Sequence, residues 1–348
     1  MPAENEKRID LVLEGGGVKG IGLVGALAVL DERGFEPQNI AGTSAGAIAA
    51  VLTAAGYSPA ELRAILLDLD FRSFKDEGWE DRLPLVGAPI SLFKDLGVFE
   101  GDFFFNWISE LLAAKGVHTF ADLVQPEFSS EPRFRYRAQV IASDLTARRL
   151  LVLPQDADRF GIDPDELSVA EAVRMSMSIP IFFEPWSWKS EKDGSKHTIV
   201  DGGMLSNFPV WLYDDGEDPA WPTFGLMLVE PEPSKDLGHR LPASDESDSL
   251  PEFAKSLVHT MLEAHDRMYL EGAAFVRTIG VKTLGVRTTE FDLSRSRADS
   301  LYESGRNAAE GFLDDWDFAR YKATFRRGQA PSRRAMLKAA EVSFPDAP

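Results

Sequence analysis

At 348 residues, with 44% hydrophobic and 27% charged positions, the chain is long enough for a large buried core and too apolar for global disorder. Its 37 basic against 56 acidic residues give a net charge of −19, which opposes binding to nucleic acid and steering to anionic membrane surfaces. There is no cysteine, so disulfides, thiolate metal sites and a cysteine nucleophile are excluded, and serine becomes the leading nucleophile.

The first eight residues are polar, and no later run approaches about 18 consecutive apolar positions, so neither a signal peptide nor a transmembrane segment is expected and the cytoplasm is the default location. Residues 9–13 read as a short buried strand entering the cluster Gly15-Gly16-Gly17-Val18-Lys19-Gly20, and apolar positions at helical spacing follow from Val18 to about Arg33. A second unit repeats this plan: Ile40-Ala41, then Gly42-Thr43-Ser44-Ala45-Gly46, then an alanine-rich helix to Ala55 that Gly56 stops.

Ser58-Pro59-Ala60-Glu61 joins an N-cap serine, a proline at the first helical position and a capping-box glutamate, which predicts a helix to about Leu69. Residues 71–99 lose all period among Pro84, Gly87, Pro89 and Gly97 and read as a long apolar loop. A helix is expected over 102–114. Successive helical residues turn by about 100°, so Phe103, Phe104 and Phe105 cannot all face one core, and at least one must meet a second surface.

Residues 134–145 and 149–153 read as paired strands around a turn near Thr146, and Ser168-Val169-Ala170-Glu171 is a second capping box opening a helix that ends before Pro180. Further strands are expected at 197–200, 224–229 and 278–283, with helices near 253–271 and 298–318. The Pro-, Ser- and acid-rich stretch 231–251 reads as a linker or mobile loop, and residues from Arg326 onward as a loosely attached tail. Strands alternating with helices point to a mainly parallel sheet covered on both faces.

G-x-S-x-G alone arises by chance in roughly one chain in ten of this length. Around Ser44, however, the preceding apolar residues and the following helix supply the strand-turn-helix that a nucleophile elbow needs. The glycine cluster fits either of two anion sites, because consecutive backbone amides at a helix start cradle a phosphate or an oxyanion. Ile21-Gly22 excludes a P-loop, whereas Gly15, Gly17 and Gly20 match a dinucleotide fingerprint formally, so a nucleotide-binding module stays open as the non-hydrolase alternative. The five histidines, His118, His197, His239, His259 and His265, fit an α/β-hydrolase triad poorly, because Ser44 follows only the second expected strand. A carboxylate is the other candidate base, and Asp201-Gly202-Gly203 places one directly after a strand, although read alone this tripeptide is most often a turn.

Together, the cluster at 15–20, the Ser44 elbow and the Asp201 turn, in this order, resemble the patatin-like phospholipases, lipid acyl hydrolases with a Ser-Asp dyad. The resemblance covers about residues 10–212 and extends to Ala142-Ser143-Asp144-Leu145-Thr146, Ser176-Met177-Ser178-Ile179-Pro180 and Asn207-Phe208-Pro209. It implies a three-layer α/β/α sandwich with a mainly parallel sheet and a C-terminal helical extension. The catalytic domain is expected at 9–212, with 213–348 completing or extending the same fold.

By position, the resemblance makes Ser44 the nucleophile, Asp201 the base and the amides around Gly15, Gly16 and Gly17 the oxyanion hole. Gly20, Gly42, Gly46, Gly202, Gly203 and Asn207 are supporting residues, as is Lys19, which stands where many members carry arginine and either pairs to hold the loop or is solvated. The implied substrates are phospholipids or lysophospholipids, with a neutral-lipid or general carboxylesterase of the same dyad as the alternative. Neither metal nor cofactor is called for, peripheral contact with a membrane or micelle is expected, and nucleic acid is not a partner. Residues 71–105 and Ile181-Phe182-Phe183 with Trp186 and Trp188 are candidate walls of an acyl channel, although any single aromatic among them reads more readily as ordinary core. The helix at 102–114 with the loop before it is expected to form a lid or lipid-contact surface.

Overall fold

The computed structural model describes residues 7–69, 101–128, 131, 133–214, 219–230, 258, 261, 273–288, 290 and 292–325. Two strand-loop-helix units open the chain. β1 (Arg8–Leu13) passes through a 3-10 turn at Gly17–Lys19 into α1 (Gly20–Glu32), and β2 (Glu36–Thr43) feeds α2 (Ala45–Ala54). β2 starts earlier than the apolar pattern suggests, because Pro37 is accommodated opposite Ile9 where the ladder shifts register, a place where a missing amide costs no regular bond. α3 (Pro59–Asp68) begins with the full reciprocal Ser58–Glu61 capping box.

α4 (Asp102–Ala114) is followed by β3 (Ala138–Asp144), β4 (Arg149–Leu153), α5 (Val169–Ser176), β5 (Trp186–Lys189), β6 (Lys196–Asp201) and β7 (Thr223–Val229). α6 (Ala273–Val276), β8 (Thr278–Lys282), α7 (Arg295–Asp315) and α8 (Phe318–Phe325) complete the described chain. The expected long loop at 71–99, the stretch 231–251, most of the helix expected at 253–271 and the tail from 326 lie outside the described residues.

One mixed sheet runs β5-β6-β3-β2-β1-β7-β8, with β4 also paired to β3. β3, β2, β1, β7 and β8 are mutually parallel, whereas β4, β5 and β6 join antiparallel. The sheet is flanked by helices in the three-layer α/β/α arrangement. β7 and β8 place strands from beyond residue 212 beside β1, and α7 lies flush on α1: a Cβ on Gly25 would stand 2.0 Å from the Tyr302 carbonyl oxygen. Alternation along the central strands separates two cores. Leu11, Leu13, Ile40, Val140 and Ala142 join the helical side, while Val12, Ala41 and Ile141 are covered by Phe208, Val210, Leu212 and Tyr213 with Ala274 of α6 beside them.

The edges of β3 position the site. β4 occupies one edge of β3 along Val140 to Asp144, so the opposite edge is shared end to end by β2, which reaches Thr43 opposite Ile141, and β6, which reaches Asp201 opposite Ala142. Because β2 runs parallel and β6 antiparallel to β3, their C-terminal ends meet head on.

β5 corrects part of the channel expectation. Trp186 and Trp188 belong to a strand paired with β6, and Trp188 is buried against Phe160 with ring centroids 4.1 Å apart, so it is core.

Candidate active site

Ser44 follows the last residue of β2 and precedes the first of α2, with φ 53° and ψ −126°, a conformation that costs a non-glycine residue about 1–3 kcal/mol. The flanking glycines are required by close approach: a Cβ on Gly42 would lie 2.2 Å from the Gly46 carbonyl oxygen, and one on Gly46 2.4 Å from that of Leu13. The elbow thus holds Ser44, buried, at the N-terminus of α2, where the helix favours developing negative charge. Its amide donates to Ser176 Oγ at 2.8 Å and its hydroxyl to Met177 Sδ at 3.6 Å.

Asp201 ends β6 fully buried. Its amide donates to the Ser178 carbonyl at 2.9 Å, and its Oδ1 accepts from the Gly203 amide at 2.7 Å. Burial pushes its carboxyl up to about 7, against which the Ser44 hydroxyl and the Gly203 amide pull it down. Ser44 therefore stands within reach of Asp201, yet Oδ2 accepts no bond of normal geometry and the Ser44 hydroxyl is aimed at Met177 instead. Such a bond commonly tightens only when substrate arrives.

The glycine cluster abuts the elbow, since a Cβ on Gly15 would lie 3.1 Å from Ser44 Cβ, and one on Gly20 3.2 Å from Ala45 Cβ. Asn207 clamps Gly15 from both sides: its carbonyl accepts the Gly15 amide at 3.2 Å, and its Nδ2 donates to the Gly15 carbonyl at 3.0 Å and to Glu14 Oε1 at 3.3 Å. Gly17 has φ 55°, and a Cβ there would meet the Thr288 carbonyl oxygen at 2.1 Å. That carbonyl also accepts the Val18 amide at 3.3 Å. The Gly15 amide is therefore occupied, while those of Gly16 and Gly17 have no backbone acceptor among the described residues. Of the two readings of Lys19, the pairing one is realised: Nζ meets Glu230 Oε1 at 2.7 Å, and Glu230 Oε2 accepts from Thr283 at 2.7 Å.

A cavity of about 410 Å³ opens beside the elbow, its lining including Ala45, Met177, Phe104 and Phe183 together with the charged Asp292 and Arg295. Phe183 and Phe104 thus fit the channel expectation. Phe104 is 1% and Phe103 47% exposed, the division that helical rotation requires. Among the described histidines, His197 bonds Asp144 Oδ2 at 2.7 Å and Ser195 Oγ at 3.0 Å, and His118 is exposed; neither bonds Ser44.

The family profile described as patatin-like phospholipase matches residues 11–213, more than half of the chain. The chain belongs to the patatin-like phospholipase family. As a patatin-like phospholipase it is a lipid acyl hydrolase, and the nucleotide-binding alternative for the glycine cluster is set aside. The uncharacterized protein YqhO of Bacillus subtilis is 38% identical over 314 residues, covering 89% of this chain and 99% of that protein. Patatin-like phospholipase domain-containing protein 7 of Rattus norvegicus is 29% identical over 58% of this chain and 12% of its own length. The crystal structure of VipD from Legionella pneumophila superposes with a TM-score of 0.53 at 17% identity, covering 88% of this chain and 67% of that one, which shows a shared fold.

Four contacts of this patatin-like site escape sequence reading. Ser176 and Met177 lie within the Ser176–Pro180 stretch, where the resemblance assigns them no role, and Glu230 and Thr288 lie beyond the family match. Thr288 acts through its carbonyl, which any residue type supplies.

Proposed function

We propose that the protein hydrolyses carboxylic esters of phospholipids or lysophospholipids, with Ser44 as nucleophile and Asp201 as its base. The observation that carries this reading is the head-on meeting of β2 and β6, which delivers a strained, buried serine to a buried carboxylate raised to about 7. A carboxylate at that value accepts a proton near neutral pH far better than an exposed one.

In the first step Ser44 Oγ attacks the acyl carbonyl carbon and its proton passes to Asp201. The carbonyl oxygen becomes an oxyanion facing the amides of Gly16 and Gly17, the two in the cluster with no backbone acceptor among the described residues. Collapse expels the glycerol-side alcohol, which takes the proton from Asp201 and leaves an acyl-Ser44 ester. Water then attacks that ester, again giving a proton to Asp201, and departure of the fatty acid returns it to Ser44. The cavity beside Ala45 and Met177, lined in part by Phe104, Ile179 and Phe183, takes the acyl chain, and exposed Phe103 on α4 supports contact with a lipid aggregate.

Mass-spectrometric analysis of products from phosphatidylcholine, lysophosphatidylcholine and monoacylglycerol tests the substrate class. Fatty acid is expected from the phosphate-bearing lipids with wild type and not with Ser44→Ala. Faster release from monoacylglycerol moves the assignment to a neutral-lipid esterase with the same dyad.

A further inference from the structure

The Ser44 amide is taken by a side chain rather than left for substrate. Ser44 N–H donates to Ser176 Oγ at 2.8 Å, and Ser176 Oγ donates onward to the Ile141 carbonyl at 2.6 Å. A serine hydroxyl has one hydrogen and two lone pairs, so donation to Ile141 fixes a lone pair toward Ser44 N–H. Ser176 is fully buried at the end of α5, which makes this orientation rigid. The next residue, Met177, places its sulfur 3.6 Å from Ser44 Oγ, so consecutive residues of one helix end meet the amide and the hydroxyl of the same serine.

The positive φ of Ser44 persists only where surrounding contacts over-determine it. Gly42 and Gly46 remove clashes without supplying attraction. Ser176 supplies the attraction, and it draws on Ile141, the residue of β3 paired with Thr43, so the strand before the nucleophile and the helix beside it are tied at one point.

We propose that Ser176 is a positioning residue for the nucleophile: it holds the Ser44 elbow in its strained conformation and keeps the Ser44 amide out of the oxyanion hole. This rests on Ser44 being the nucleophile. A merely structural serine would change stability and leave the turnover of correctly folded molecules alone.

Titration with a fluorophosphonate to completion counts competent sites, because unfolded molecules do not react, and hydrolysis of a soluble short-chain nitrophenyl ester is then expressed per labelled site. Ser176→Ala is expected to lower kcat per site by about 10-fold or more, as small misplacements of a nucleophile do. KM is expected to stay within about twofold, the mark of an interaction that matters mainly in the transition state. The acid limb of the pH profile keeps its midpoint, since the surroundings of Asp201 are unchanged, and Ser176→Thr, which retains the hydroxyl, recovers most of the loss. A Ser176→Ala variant within about twofold of wild-type kcat per site, or a threonine variant as slow as the alanine one, overturns the proposal. If wild type takes no label, the reading of Ser44 itself fails instead.

Discussion

Thr43 and Asp201 are neighbours on one edge of β3, Thr43 opposite Ile141 and Asp201 opposite Ala142. The sheet register therefore fixes how the residue after Thr43 meets the carboxylate. Gly202 keeps that register, because a Cβ there would lie 2.4 Å from the Ile141 carbonyl oxygen and 2.7 Å from its carbon, both backbone atoms that cannot yield. Gly202→Ala is expected to push Asp201 away and lower kcat by about 100-fold with a smaller change in KM, read by steady-state kinetics on a soluble ester. Wild-type kcat in this variant would show that the register does not set the dyad.

Activity and stability should respond to pH in opposite senses at Asp201. With Asp201 as the proposed base, which works only when ionised, kcat/KM is expected to rise with pH to a midpoint near the carboxyl value of about 7. The folded-state value lies above the ordinary 3.8, so the stability from proton binding is full below about 3.8 and is lost as pH rises to about 7. Asp201→Asn, expected to be inactive, is accordingly expected to melt above wild type at pH 8, with the gap closing toward pH 4. Thermal melts across that range check the sign.

Asp10 repeats the electrostatics of Asp201 at another place in the sheet. It lies buried in β1, accepts from Asn39 Nδ2 at 2.8 Å and is likewise raised to about 7 by burial, against the hydrogen bonds of Asn39 and Trp221 and the charge of Arg133. Its position is toward the start of β1, whereas Ser44 follows the C-terminal end of the parallel neighbour β2. Asp10→Asn is expected to flatten the fall in stability between pH 4 and 7 while leaving the acid limb of activity in place. A shifted acid limb would assign that limb to Asp10 instead.

Residues beyond 212 supply β7 beside β1, the Glu230 partner of Lys19 and the Thr288 carbonyl under Gly17. We propose that the catalytic unit includes them, although the family match ends at 213. A chain ending at Leu212 is expected to lose cooperative thermal unfolding by circular dichroism, because the exposed edge of β1 and its apolar face have no cover. A sharp melt of that fragment would locate a self-sufficient domain within 9–212.

Much of the site was legible because geometry dictates residue type there. Only glycine fits at 42 and 46, and strand-helix periodicity around Ser44 marks the turn without any alignment. What stayed hidden depends on long-range partners. The role of Lys19 required Glu230, 211 positions away, and Ser176 gains meaning only through the register of β3. β5 is four residues with aromatic alternation, too short to separate from a loop, and the Thr288 contact leaves no side-chain signal at all.

Intact-protein mass spectrometry after fluorophosphonate treatment tests the Ser44–Asp201 dyad most directly. A single adduct on Ser44 is expected in wild type, none in Ser44→Ala, labelling slowed by about 100-fold or more in Asp201→Asn, and wild-type labelling in His197→Gln. An adduct in Ser44→Ala, or a His197 variant as unreactive as Ser44→Ala, would contradict the account.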